Sequence, residues 1–254
     1  RGLVRAPSSM AFRVNNLSLW VDEPTSELAK RAAEKLKVTR GDLVSMRVVR
    51  QVLDARKKNS PRYVYTVEVE LAPGKEPGRL PFDVSRVDPP PPPARKVARV
   101  PEQRPIIIGS GPAGMFCALE LLERGVKSVV LERGRDVVQR RKDVARLMRD
   151  GTLEPESNMN FGEGGAGAYT DGKLSTRINH PDVRKVIETF ARFGAPDRIL
   201  VQGKPHIGSD LLPFAVERMR QELVAGGCEV RFSTRVDALL YRGDAVCGVQ
   251  LADG

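Results

Sequence analysis

The chain has 254 residues, 41% of them hydrophobic, and a formal net charge of +10. That length allows one large domain or a small one plus a medium one, and no apolar run approaches the ~20 residues that span a bilayer. Three widely spaced cysteines, Cys117, Cys228 and Cys247, exclude a disulfide framework and a C-x-x-C metal site.

The first nine residues, "RGLVRAPSS", carry no apolar signal core. The simplest expectation is that Met10 is the true start. The alternative is the tail of an organelle transit peptide, which would place the protein in a plastid or another organelle. The cysteine usage suits a reducing compartment, so a cytoplasmic location is expected.

Residues 10–72 read as a small α/β module. "FRVNNLSL" is strand-like. "PTSELAKRAAEKLKV" is helical, with Leu28, Ala32 and Leu36 on one face and Thr25 or Ser26 as the N-cap. "LVSMRVVRQVLD" is a second strand. "RYVYTVEVEL" alternates cleanly, sending Tyr65, Val67, Val69 and Leu71 one way and Thr66, Glu68 and Glu70 the other. Between these two strands "DARKKNSPR" forms a basic tip, either a solvated turn or a contact for an acidic partner. Residues 73–103 are rich in Pro and Gly. Pro89–Pro93 is expected as polyproline II, about 3 Å per residue, so this stretch reads as a semi-rigid spacer.

Residues 104–254 read as a second domain, a Rossmann-type FAD/NAD(P)-binding α/β unit. "RPIIIGSGPAG" joins an apolar strand, expected to be buried on both faces, to a glycine turn. "GPAGMFCALELLERG" follows as a helix closed by Gly125, then "KSVVLERG" as a second strand. This β-α-β unit has the length and glycine spacing of a dinucleotide-binding fingerprint. Gly109 permits the tight turn, Gly111 lets backbone approach a pyrophosphate, and Gly114 lets helix pack on strand. Ser110, Pro112 and Ala113 complete the loop at the helix N-terminus, where the dipole favours phosphate. Glu132, followed by Arg133, ends the second strand where a carboxylate meets ribose hydroxyls. That charge argues against the 2′-phosphate of NADP.

The fingerprint alone does not separate FAD from NAD. Three later features favour FAD. About a hundred residues pass after Glu132 before another nucleotide-like strand pattern. The segment from Asp210 onward reads as helix, strand and antiparallel hairpin. A second glycine loop, "NFGEGGAGAYTDGKLSTR", lies between, with Gly162, Gly164, Gly165, Gly167 and Gly172 beside Asp171, Lys173 and Arg177. So many glycines cost backbone entropy. Close approach to the pyrophosphate or isoalloxazine side of a flavin is one reason to accept that cost, and a surface lid is the other.

"GSGPAGMFCALELLERG", "VVLERG", "ESNMNFGEGGAGAYTDGKLSTR" and "KPHIGSDLL" together resemble the largely uncharacterised FAD-dependent dehydrogenases, NAD(P)/FAD-dependent oxidoreductases of bacteria and plastids. The resemblance covers nearly the whole chain, including the N-terminal module with "LDARKK". It implies a glutathione-reductase-like FAD fold, FAD contacts at Gly109, Gly111, Gly114 and Glu132, and a second loop facing the cofactor. It supplies no substrate. The final "ADG" precedes the strand that such folds return to the FAD, so a C-terminally truncated chain is expected.

His206, in "GKPHIGSD", precedes a helix that Ser209 or Asp210 is expected to cap, and is the one acid/base candidate. A loop histidine bonded to backbone is the alternative. His180 reads as a turn residue. In "DVVQRRKDVARLMRD" the apolar face is expected to be Val137, Val144 and Met148, leaving Arg140, Arg141, Lys142 and Arg146 mostly exposed. Cys117 reads as a small core residue. The leading expectation is an FAD-dependent oxidoreductase acting on a small-molecule substrate, with NAD(P)H as a candidate donor. The alternative is an FAD protein that acts on or binds nucleic acid, such as a tRNA-modifying flavoprotein. Net charge motivates it, and the lack of a recognisable RNA module with stacking aromatics counts against it. A cofactor-binding scaffold without catalysis is a third reading.

Overall fold

Phe12 and Val14 point inward along the first strand, and so do Leu17 and Leu19, one residue out of phase. A bulge between Val14 and Leu17 absorbs the extra residue, and Asn16 adopts φ 56°, a left-handed conformation that asparagine tolerates. This strand, β1 (Ala11–Trp20), opens a computed structural model that describes residues 11–57, 59–87, 96–178 and 180–253. The expected start at Met10 and the Pro89–Pro93 run lie outside the described residues. Two units separate. One takes the described residues up to 87 together with Asp197–Pro205, and the other takes the rest.

In the first unit α1 (Glu27–Leu36), β2 (Leu43–Asp54), β3 (Arg62–Leu71) and β4 (Val84–Arg86) follow β1. The sheet is antiparallel in the order β2-β3-β1-β4. Helix α1 buries Leu28, Ala32, Ala33 and Leu36 against a core of Phe12, Val14, Tyr65, Val67 and Val69. Ser26 is its N-cap but makes no side-chain capping bond. Two boundaries differ from expectation. The Pro/Gly-rich stretch from residue 73 is not wholly a spacer, because Val84–Arg86 pairs with β1 and Val84 is buried. Residues 197–205 also join this unit: Gln51 donates its N–H to the Val201 carbonyl, and Gly203 donates to the Gln51 carbonyl at 3.0 Å. Neither segment has the alternation that marks a longer strand.

The second unit runs β5 (Ile106–Ile108), α2 (Pro112–Glu123), β6 (Val129–Leu131), α3 (Val137–Asp150), α4 (Pro181–Arg192), α5 (Leu212–Ala225), β7 (Glu229–Arg231), β8 (Val236–Arg242) and β9 (Ala245–Leu251). Strands β5, β6 and β7 form a parallel sheet with β6 in the middle, and β8 and β9 form an antiparallel hairpin. Ile107, Val130 and Val230 lie in register across the parallel sheet. Among the described residues no helix is long and apolar enough to cross a membrane.

Five expectations fail here. Among the described residues β5 pairs with β6 alone, and Ile106 and Ile108 are 43% and 54% exposed rather than buried on both faces. Cys117 is exposed, because the buried face of α2 is Met115, Ala118 and Leu119. Met148 is exposed, while Arg140 takes the inward position on α3. Helix α5 has Leu211 at its N-cap with no side-chain bond, so neither Ser209 nor Asp210 caps it. His180 is more than a turn residue: it is the N-cap of α4, and its Nδ1 accepts the Asp182 N–H at 3.3 Å.

Candidate functional site

The chain leaves β5 through Gly109, whose φ of 93° favours glycine. The Gly109 N–H donates to the Leu131 carbonyl at 2.7 Å, tying the turn to the end of β6. A Cβ on Gly114 would collide with the Gly109 carbonyl, so close packing of helix on strand demands glycine there. Gly111 is different. It is the N-cap of α2, with φ −69°, and the nearest heavy atom to a Cβ built there is Gly165 Cα at 3.9 Å. Neither strain nor protein packing requires glycine at 111. Its missing side chain leaves room beside Pro112 and Ala113, both exposed in the first turn of the helix.

Glu132 is only 5% exposed and ties three loops together. Its Oε2 accepts from Ser110 N–H and Ser110 Oγ, both at 2.8 Å. Its Oε1 accepts from Gly134 N–H at 2.8 Å and Gly162 N–H at 3.2 Å. Four donors occupy the carboxylate, and three of them are fixed backbone amides. Ser110 is itself fully buried, and its carbonyl accepts the Gly164 N–H at 3.0 Å. The two glycine loops therefore abut: a Cβ on Gly165 would stand 3.3 Å from Gly111 Cα.

A cleft of about 460 Å³ opens at this junction, lined by Gly109, Glu132, Arg133, Phe161, Gly165 and Arg235 among others. It lies at the carboxyl ends of β5 and β6, where open parallel sheets bind ligands. Arg133 lies over the Phe161 ring at 4.0 Å and pairs with Glu156 at 2.6 Å. Arg235 joins Glu156 at 3.0 Å and Asp237 at 2.8 Å. The rim is thus a network of paired charges, with an aromatic face beneath one guanidinium.

Sequence reasoning missed what supports the second loop. Arg140 is 0% exposed. Its Nε donates to the Asn158 carbonyl at 2.9 Å, Nη1 to the carbonyls of Gly162, Glu163 and Gly165 at 3.2, 2.6 and 2.8 Å, and Nη2 to that of Met159 at 3.1 Å. Tyr169 faces its guanidinium at 4.7 Å. Burial pushes the Arg140 pKa down, and Tyr169, Glu132 and Glu163 oppose that shift. Glu163 is also fully buried, accepting the Val137 N–H at 2.8 Å and Arg220 Nε at 2.7 Å. A signal was available: Arg140 falls at i+3 between Val137 and i+7 Val144, within the inward stripe of α3.

Asp171, Lys173 and His206 come together elsewhere. Lys173 and His206 form an antiparallel bridge, and the Gly208 N–H donates to the Asp171 carbonyl at 3.1 Å. Lys173 Nζ lies 2.9 Å from Asp171 Oδ2, and that hydrogen bond holds the exposed Asp171 carboxyl below the usual range. His206 is exposed and lines neither the Glu132 cleft nor the apolar cavity next to Gly164 and Gly167. Gly164, at φ 83°, packs against Ala168 and Val216.

Two family models match the chain. Residues 11–70 match a domain of unknown function, DUF8436, and residues 103–157 match an FAD binding domain. The second match takes in β5, α2, β6, Glu132, Arg140 and Glu156. The chain is also 36% identical over 243 residues to an uncharacterized protein of Clostridium beijerinckii, an alignment that covers 92% of this chain and 44% of that protein. The chain thus spans less than half the length of the relative it matches. The family match supports an FAD-binding domain of oxidoreductase type.

Proposed function

We propose that the chain holds FAD in a Rossmann-type arrangement and belongs to an FAD-dependent dehydrogenase acting on a small-molecule substrate. The observation that carries this reading is the room left at Gly111. An open backbone at the N-cap of α2 abuts a second glycine loop beside a buried carboxylate at the carboxyl ends of parallel strands. The residues present fit the group. The N-terminus of α2, with Gly111, Pro112 and Ala113, suits a pyrophosphate. The Glu132 cleft suits an adenosine, with the Arg133–Phe161 pair offering a flat face. Of the four donors on Glu132, the Ser110 hydroxyl is the one that can rotate away and yield its place to a ribose hydroxyl. Bound FAD supplies two-electron chemistry, and the chain's part is to hold and orient it.

NADH or NADPH is the proposed donor. Among the described residues Cys117, Cys228 and Cys247 are free cysteines, and Cys228 is buried. The reading assigns His206 no step. The alternative of a flavoprotein acting on nucleic acid has no counterpart in the family matches.

The test is the absorption spectrum of the purified protein, followed by anaerobic reduction with each nicotinamide. A flavin spectrum that NADH or NADPH bleaches is the expected result. In Gly111→Val the flavin is lost while the melting temperature holds, because the new Cβ enters the space for phosphates and stands at ordinary contact distance, 3.9 Å, from Gly165 Cα. Full flavin occupancy in that variant sinks the assignment.

A further inference from the structure

A cavity of about 440 Å³ lies on the other flank of the second glycine loop, against the first turns of α2. Its walls include Met115 and Phe116 from α2, Phe190 from α4, and Val216 and Met219 from α5. Phe116 and Phe190 meet edge to face, with centroids 5.4 Å apart. Two of the lining side chains are polar or charged, and both already have partners. Lys173 is paired with Asp171. Thr170 Oγ1 donates to the Gly167 carbonyl at 2.8 Å and accepts the Gly172 N–H at 3.2 Å. Gly167 lines the cavity too. It is not among the positive-φ glycines, and a Cβ built there meets nothing within 4 Å. The loop leaves this wall bare, although its backbone would accept a side chain there.

We propose that this cavity is a subsite for a flat, uncharged, largely apolar ring, with Gly167 as its open wall. The volume and the apolar lining are those of a small-molecule pocket. With no unsatisfied polar side chain in the lining, a polar or ionic ligand would lose hydration without recompense, whereas a planar ring gains contact with the aromatic edges. Such a ring has two sources: the dimethylbenzene end of the isoalloxazine of the FAD assigned above, its polar end lying outside the cavity, in which case this inference rests on that reading, or the substrate's own ring.

Gly167→Leu fills the cavity from the loop, and Val186→Trp, at a lining residue on α4, fills it from the helix side. Titrations of the whole chain with FAD, with ADP, and with 2-naphthol before and after FAD loading separate the cases. If the ring is the flavin's, both variants weaken FAD at least tenfold and leave ADP unchanged. If the ring is the substrate's, FAD affinity holds and 2-naphthol affinity falls at least tenfold. Unchanged affinity for both ring ligands in both variants overturns the proposal, and so does a wild-type chain that binds neither. A wild-type chain that binds 2-naphthol in this way but no FAD overturns the functional reading alone.

Discussion

The two units hold their loops by opposite means. In the first, an apolar cluster from Phe12 to Val84 does the work, and its buried carboxylate, Glu68, pairs with the side chains of Arg13 and Arg47 rather than with backbone. In the second, buried charges grip backbone: Glu132 takes three amides and a hydroxyl, Arg140 takes five carbonyls, and Glu163 joins α3 to α5. A glycine-rich loop has almost no side chains to bury, so its shape must come from hydrogen bonds to its backbone. Burying those charges is a poor route to stability and a good one to a single fixed geometry. The second unit therefore invests in shape at the junction of its glycine loops, where FAD is proposed to bind.

If so, the largest single-residue effect in the second unit belongs to Arg140. Arg140→Met leaves the carbonyls of Asn158, Met159, Gly162, Glu163 and Gly165 without their donor. The expected loss is about 3–5 kcal/mol of stability, with flavin content falling alongside, read by urea melts and by absorbance of the purified variant. Arg140→Lys recovers part of it, since one ammonium cannot reach five carbonyls in a planar fan. A variant of normal stability and full flavin content would mean that the loop holds itself.

Glu132 comes next. Glu132→Ala strands the amides of Ser110, Gly134 and Gly162, at a cost of about 2–4 kcal/mol. A carboxylate that serves only ribose behaves otherwise: FAD affinity drops by about 1–3 kcal/mol while the melting temperature stays put. Calorimetry of the variant with and without FAD distinguishes a latch from a simple ligand group.

The contrast also explains what could be read in advance. The first unit was legible because its rules are periodic. β2 and β3 fall on the segments read as strands, β3 by its alternation, and Leu28, Ala32 and Leu36 are buried at helical spacing. In the second unit the elements followed the same rules, down to Asp136, which caps α3 by accepting the Val138 and Gln139 amides. The fingerprint glycines and Glu132 stood out by spacing. Arg140 did not, because five basic residues in one helix look like a solvated face unless the carbonyls turned toward one of them are known. Cys117 and Ile108 were misjudged for a related reason. Composition marks a residue as apolar, but only the pairing of β5 with a single neighbour and the direction of the α2 face decide exposure. Short pieces such as Val84–Arg86 carry too few residues for any period.

The smallest effect is a difference of sign between two buried carboxyls, one in each unit. Burial pushes the Glu68 carboxyl up, but hydrogen bonds from Arg13 and Arg47 more than reverse this, so its pKa is lowered. Between the lowered value and the ordinary one, about 4.3, the unfolded chain binds more protons than the folded one. Stability from Glu68 is then present above the ordinary value and is lost as pH falls through the lowered one. Burial also pushes Glu163 up, and there the Val137 amide and Arg220 recover only part, so its pKa is raised. The folded chain now binds more protons. The contribution of Glu163 is full below the ordinary value and is lost as pH rises through the raised one. Glu68→Gln and Glu163→Gln each remove one titration. The local readout is amide hydrogen exchange, on β3 for the first and on α3 for the second, from pH 3 upward. The wild-type advantage over the glutamine variant should grow with pH at β3 and shrink with pH at α3. Slopes of the same sign would show that Arg220 holds Glu163 as firmly as the two arginines hold Glu68. The buried charges of the second unit would then be ordinary ion pairs rather than strained supports for its loops.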